Sequence, residues 1–135
     1  MNSFQRVRST ALTTFSILLL VIQCWFIALV SAEIAIPPLK SRVMDLTHTL
    51  STQESSQLEQ QLTQFEASKG SQIALLIVAS TQPETIEQYA IRVVDTWKLG
   101  RKGIDDGVLL LVAKNDRALR IEVGYGLEGI LPDAI

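Results

Sequence analysis

Gly107-Val108-Leu109-Leu110-Leu111-Val112-Ala113-Lys114-Asn115-Asp116-Arg117-Ala118-Leu119-Arg120-Ile121-Glu122-Val123 is the stretch on which the fold turns. Its first half is an unbroken apolar run, too short for a free-standing helix and rich in branched residues. It predicts a strand covered on both faces. Lys114 to Arg117 supplies turn residues, and Ala118 to Val123 then alternates. Leu119, Ile121 and Val123 are expected inward, with Arg120 and Glu122 outward, which describes a half-exposed strand antiparallel to its predecessor.

Upstream, Ile73 to Ala79 is a second apolar run of the same kind. Two helical patterns frame it. Ser51 with Glu54 forms a capping box ahead of Leu58, Leu62 and Phe65, and Lys69-Gly70 marks the stop. After Pro83, Thr85 with Gln88 forms a second box, and Ile86, Tyr89, Ala90, Val93, Val94 and Trp97 make a buried stripe that ends by Gly100. Helix, strand, helix and hairpin together predict an α/β domain, a mixed β-sheet with helices packed on it as an α/β/α sandwich.

The N-terminus reads as a leader. Arg6 and Arg8 precede an apolar run from Phe15 to Val30, and Val30-Ser31-Ala32 offers small residues for cleavage after Ala32. The alternative is an uncleaved anchor, but 16 residues rising 1.5 Å each span about 24 Å, short of a hydrocarbon core of roughly 30 Å. Gln23 ahead of Cys24 argues against lipid modification at that cysteine. Residues 1–32 are therefore expected as a signal peptide, 33–39 with Pro37 and Pro38 as an extended tether, and 40–135 as the domain. This places the protein outside the cytoplasm, in the periplasm or on the outer face of the cytoplasmic membrane.

Beyond residue 32 the chain carries 14 acids against 10 bases, a net charge of −4, and no cysteine. Nucleic-acid binding is excluded for want of a basic footprint, and disulfides and thiolate chemistry for want of a thiol. Gly124-Tyr125-Gly126-Leu127-Glu128-Gly129 matches G-x-G-x-x-G, but a half-exposed hairpin strand precedes it and excludes NAD. Positive φ at a strand exit is the expected role of Gly124 and Gly126. Asp105 and Asp106 before Gly107 are either a solvated turn or ligands for a hard divalent cation. Arg117 and Arg120 are candidates to hold a phosphate, against the commoner roles of turn cation and partner of Glu122. His48, the one histidine, is expected in a loop.

The order of these motifs resembles the TPM domain family, which includes bacterial envelope proteins and a thylakoid-lumen protein linked to photosystem II repair. The resemblance is carried by Arg42-Val43-Met44-Asp45-Leu46, Leu50-Ser51 and the helix through Leu58 and Leu62. It continues through Ile73–Val78, Ile86-Glu87-Gln88-Tyr89-Ala90, Trp97-Lys98-Leu99-Gly100, Asp106–Leu110 and Ile121–Gly129, nearly all of residues 38–135. It implies calcium or magnesium binding by loop acids, here Asp105, Asp106, Glu128 and Asp133, and a modest phosphatase or nucleoside-triphosphatase activity in some members. The family often shows Asp-Asn-Gly where this chain has Asp105-Asp106-Gly107, so one acid is extra. No catalytic nucleophile is identified.

Two functions follow as expectations. One is an envelope module that binds a divalent cation and partner membrane proteins. The other is a weak metal-dependent phosphohydrolase acting on a small phosphorylated substrate. Pro132-Asp133-Ala134-Ile135 looks like the opening of a further helix, so the domain is expected to lack its C-terminal helix and to show an apolar patch beside Ile73–Val78 or Val108–Val112.

Overall fold

The computed structural model describes residues 14–19 and 33–130. The expected cleavage site at Ala32, Cys24 and the Pro132–Ile135 segment lie outside the described residues. Residues 14–19 are helical and belong to a unit separate from the domain that begins at Glu33. Among the described residues no helix is long and apolar enough to cross a membrane.

The domain runs β1 (Val43–Asp45), α1 (Thr52–Lys69), β2 (Ile73–Val78), α2 (Ile86–Trp97), β3 (Val108–Ala113) and β4 (Ala118–Val123). A 3-10 turn covers Tyr125–Leu127. The strands lie in the order β1-β2-β3-β4, the first three parallel and β4 antiparallel to β3. The mixed sheet with its helices is the architecture read from the sequence.

Both capping boxes form. Ser51 accepts from the Glu54 amide at 3.2 Å while the Glu54 carboxylate accepts from Ser51 at 2.8 Å, and Thr85 and Gln88 do the same at α2. Gly70 closes α1 in the left-handed region at φ 85°. Lys98 does so for α2, at φ 50°. Ser51→Ala is expected to cost about 1 kcal/mol of stability, a fall of about 4–8 °C in melting temperature. An unchanged thermal melt would show that α1 does not depend on its cap.

One sheet face carries the core. Ala74, Leu76 and Val78 stand in register with Leu109, Leu111 and Ala113, and α2 lays Tyr89, Ala90, Val93 and Trp97 across them. The 33–39 segment is extended but does not behave as a free tether. Ile34, Ile36 and Leu39 pack on this core, the Trp97 indole donates to the Pro37 carbonyl at 2.7 Å, and Arg92 donates to the Ile34 carbonyl at 2.8 Å. On the other face, Val43 lines a shallow cleft with Ser55, Ser56, Glu59 and Gln60 of α1. No residue of α1 is fully buried, and Phe65, expected on its inner stripe, is 40% exposed.

The structure reverses the two faces of β4. Ala118 packs on the core, and Arg120 and Glu122 stand opposite the fully buried Leu111 and Leu109. Leu119 and Ile121 are 55% and 41% exposed. The cause is register: the turn Lys114–Arg117 sets Ala118 opposite Ala113, so every even position of β4 follows Ala113 onto the α2 face.

Candidate functional site

Three of the acids singled out by sequence, Asp105, Asp106 and Glu128, lie on the loops where the chain enters β3 and leaves β4, which the antiparallel pairing brings side by side. The entry loop is bent by four residues with positive φ: Lys98, Gly100, Gly103 and Asp105. Its fold is closed from inside by one carboxylate. Asp106 is 3% exposed. Its Oδ1 accepts from the Arg101 amide at 2.8 Å, and its Oδ2 accepts from Arg101 Nε and Nη2 at 2.9 and 2.6 Å. Ser71 adds a longer contact at 3.4 Å. The Arg101 guanidinium holds the Asp106 carboxyl below the usual carboxylate range, and the Arg101 amide adds to this against the opposing effect of burial.

The exit loop docks on this structure through backbone hydrogen bonds. The Gly124 amide donates to the Gly107 carbonyl at 2.8 Å and the Gly126 amide to the Asp105 carbonyl at 3.1 Å. Gly124 has φ −69°, so the positive φ expected there is absent. Close approach is what excludes side chains. A Cβ on Gly124 would lie 2.1 Å from the Asp105 oxygen, and one on Gly126 would lie 1.8 Å from the Ile104 oxygen. Both glycines thus face protein carbonyls.

The predicted residues separate. Asp105 and Glu128 are exposed beside the docked loops, and Asp106 is enclosed by Arg101. Asp133 lies outside the described residues. Among the described residues no three carboxylates, imidazoles or thiols come together. Arg117 sits in the turn at the far end of the hairpin, with φ 51°. Arg120 pairs with Glu122 at 3.1 Å. Neither arginine pairs with Asp105, Asp106 or Glu128 among the described residues. His48 is an exposed loop residue, as expected.

Sequence reasoning passed over Arg101 and Asp116. Asp116 ties the loop after β3 to the loop after β2, accepting from Ser80 Oγ at 2.7 Å and the Thr81 amide at 2.8 Å. The signal for Arg101 was its place among Gly100, Gly103 and Gly107, where a tightly bent loop needs an internal ion pair. Outward the two loops present large apolar side chains among the charged ones of Arg101, Lys102, Asp105 and Glu128. Ile104, Tyr125 and Ile130 are 48%, 82% and 73% exposed, flanked by Asp105 and Glu128.

Residues 43–135 match the family described as TPM domain (TPM_phosphatase). No curated protein matches the chain. Among solved structures, the chain is similar to the N-terminal domain of a protein from P. gingivalis, with 28% identity and a TM-score of 0.62 over 68% of this chain and 59% of that one. It is similar in fold to the N-terminal domain of the cg2496 protein from Corynebacterium glutamicum, with 16% identity and a TM-score of 0.55 over 71% and 63% of the two chains. The chain thus spans less than two thirds of the length of either structure.

Proposed function

Because the chain belongs to the TPM domain family, which its residues 43–135 match, we propose that it is an exported, non-catalytic binding module that captures partner membrane proteins through its paired loops. The observation that carries this reading is the contrast within the loop pair. Its one buried acid is neutralised by Arg101, while the large apolar side chains of Ile104, Tyr125 and Ile130 stand exposed on loops that also carry Arg101, Lys102, Asp105 and Glu128. An exposed apolar cluster with a polar rim is the composition of a protein-binding surface. The export part of the proposal rests on the leader pattern ahead of Glu33.

A phosphohydrolase would need carboxylates free to hold a cation and a positive group near the transferred phosphate. Here Asp106 cannot turn to a cation without leaving two arginine nitrogens, and Arg117 lies a strand's length from the loops. A cation at this tip has Asp105 and Glu128 as its described carboxylates, a weak surface arrangement.

The test has two arms. Tyr125→Ala and Ile104→Ser are expected to abolish capture of envelope membrane proteins by cross-linking while leaving the thermal melt unchanged. Phosphomonoester turnover is expected at background with or without calcium or magnesium, in the wild type and in Asp105→Ala and Glu128→Ala alike. A cage with a dissociation constant near 10⁻⁴ M would, at 1 mM calcium, stabilise by about 1.4 kcal/mol, or about 6–11 °C. The expected shift is below about 2 °C. Metal-dependent turnover lost in Asp105→Ala would replace this reading with the enzymatic one.

A further inference from the structure

The sheet has two edges, and they are not alike. At the β1 edge the Val43 amide donates to the Glu59 carboxylate of α1 at 2.8 Å, and the strand is three residues long. That edge is closed. β4 is six residues long, contains no proline and forms the opposite edge.

The ladder fixes which groups β4 presents there. Gly124 donates to Gly107. In an antiparallel pair hydrogen-bonded positions alternate, so Glu122, Arg120 and Ala118 also bond toward β3, in register with Leu109, Leu111 and Ala113. The amides and carbonyls of Leu119, Ile121 and Val123 therefore point away from β3, to an edge where no hydrogen bond reaches them among the described residues.

We propose that this edge pairs with the same edge of a second copy of the chain, β4 against β4 in antiparallel fashion, to make one continuous eight-stranded sheet with its two-fold axis at Ile121. Charge selects this register. A two-fold axis at Arg120 would set arginine opposite arginine, and one at Glu122 would set glutamate opposite glutamate. With the axis at Ile121, Arg120 of one copy meets Glu122 of the other, twice, and Leu119 meets Val123, twice. The same axis engages every backbone group that β4 turns outward: Ile121 bonds to its own copy, and Leu119 to Val123. Leu-Arg-Ile-Glu-Val is thus a self-complementary strand. Charged residues on an edge ordinarily discourage such pairing, but here one of each sign at matched distances from the axis favours a single partner in a single register. The exposed side chains of Leu119 and Ile121 line up across the junction on the face away from α2.

The test exploits the charge pairs. In the full chain solubilised in mild non-ionic detergent, sedimentation equilibrium is expected to show a reversible dimer. Glu122→Arg makes both strand charges positive and Arg120→Glu makes both negative, and each variant alone is expected to dimerise at least tenfold more weakly. Each has also lost its internal Arg120–Glu122 pair, so weakening alone could reflect a disturbed strand. An equimolar mixture of the two decides it, because only across two chains do their charges match. The mixture is expected to regain the wild-type dimer as a heterodimer. A wild type that stays monomeric at the highest concentration reached overturns the proposal. So does a mixture that behaves as the sum of two weakened variants.

Discussion

Gly107→Ala is expected to lower stability by about 3 kcal/mol, the upper end for an overpacked site, which for a domain of this size is about 12–24 °C in melting temperature. A Cβ at Gly107 would lie 2.4 Å from the Leu99 carbonyl carbon and 2.5 Å from its oxygen. Both are main-chain atoms, and neither can rotate away. The backbone of Gly107 is equally fixed. Its carbonyl accepts from Gly124, and the next amide, that of Val108, donates to Gln72 at 2.8 Å. Gly100, the residue after Leu99, approaches just as closely: a Cβ there would lie 2.4 Å from the Gly107 nitrogen. The entry loop, the strand start and the exit loop are thus stacked backbone on backbone. Gly103→Ala is the control. It has φ 78° and nothing within 4 Å of a Cβ, so it carries left-handed strain alone, about 1–2 kcal/mol. A Gly107→Ala protein that melts no lower than Gly103→Ala would show that the loops are not packed this way.

How far the sequence foretold this depends on whether a signal is local. Helix caps are local: Ser51 and Glu54 sit three residues apart, and the hydrogen bonds they make do not depend on the rest of the domain. The two central strands were legible because both of their faces are apolar, which leaves no choice to get wrong. β4 was not. Its alternation fixes two stripes, Leu119-Ile121-Val123 and Arg120-Glu122, but which stripe meets α2 is decided by pairing with β3. The same holds for 33–39, where two prolines announce an extended chain but not the Trp97 indole that receives it. Among the site residues, Asp105 and Asp106 are indistinguishable in sequence. One is exposed and the other enclosed, because Arg101 folds back over five residues to reach only the second.

That enclosure makes the second large prediction one about pH. Asp106→Asn at pH 7 is expected to destabilise the chain by about 2–3 kcal/mol, the range for hydrogen bonds to a charged and buried acceptor. The ion-pair attraction itself contributes little beyond those bonds, since the Arg101 side chain is 53% exposed and screened by solvent. The sign of the pH dependence follows from linkage. Arg101 holds the folded-state pKa of Asp106 below its ordinary value, which is near 3.9. Its stabilising contribution is therefore complete above about pH 4 and is lost as the pH falls through the lower, folded value. Three other carboxyls shift the same way. Asp45 is pushed up by burial, but the amides of Leu50 and Thr47 outweigh it. Asp116 is lowered by the Thr81 amide first, and Glu54 by the Ser51 amide. The variant accordingly keeps part of the acid-induced loss and lacks the share due to Asp106. Urea titrations at pH 7 and pH 3 are expected to show the gap between wild type and Asp106→Asn narrowing in acid, with the wild type moving further. Arg101→Lys, which keeps the charge but cannot present Nε and Nη2 together, is expected to fall between the two at pH 7. A gap of the same size at both pH values would mean that Asp106 acts by shape and not through its charge, and the loop would need another account of what closes it.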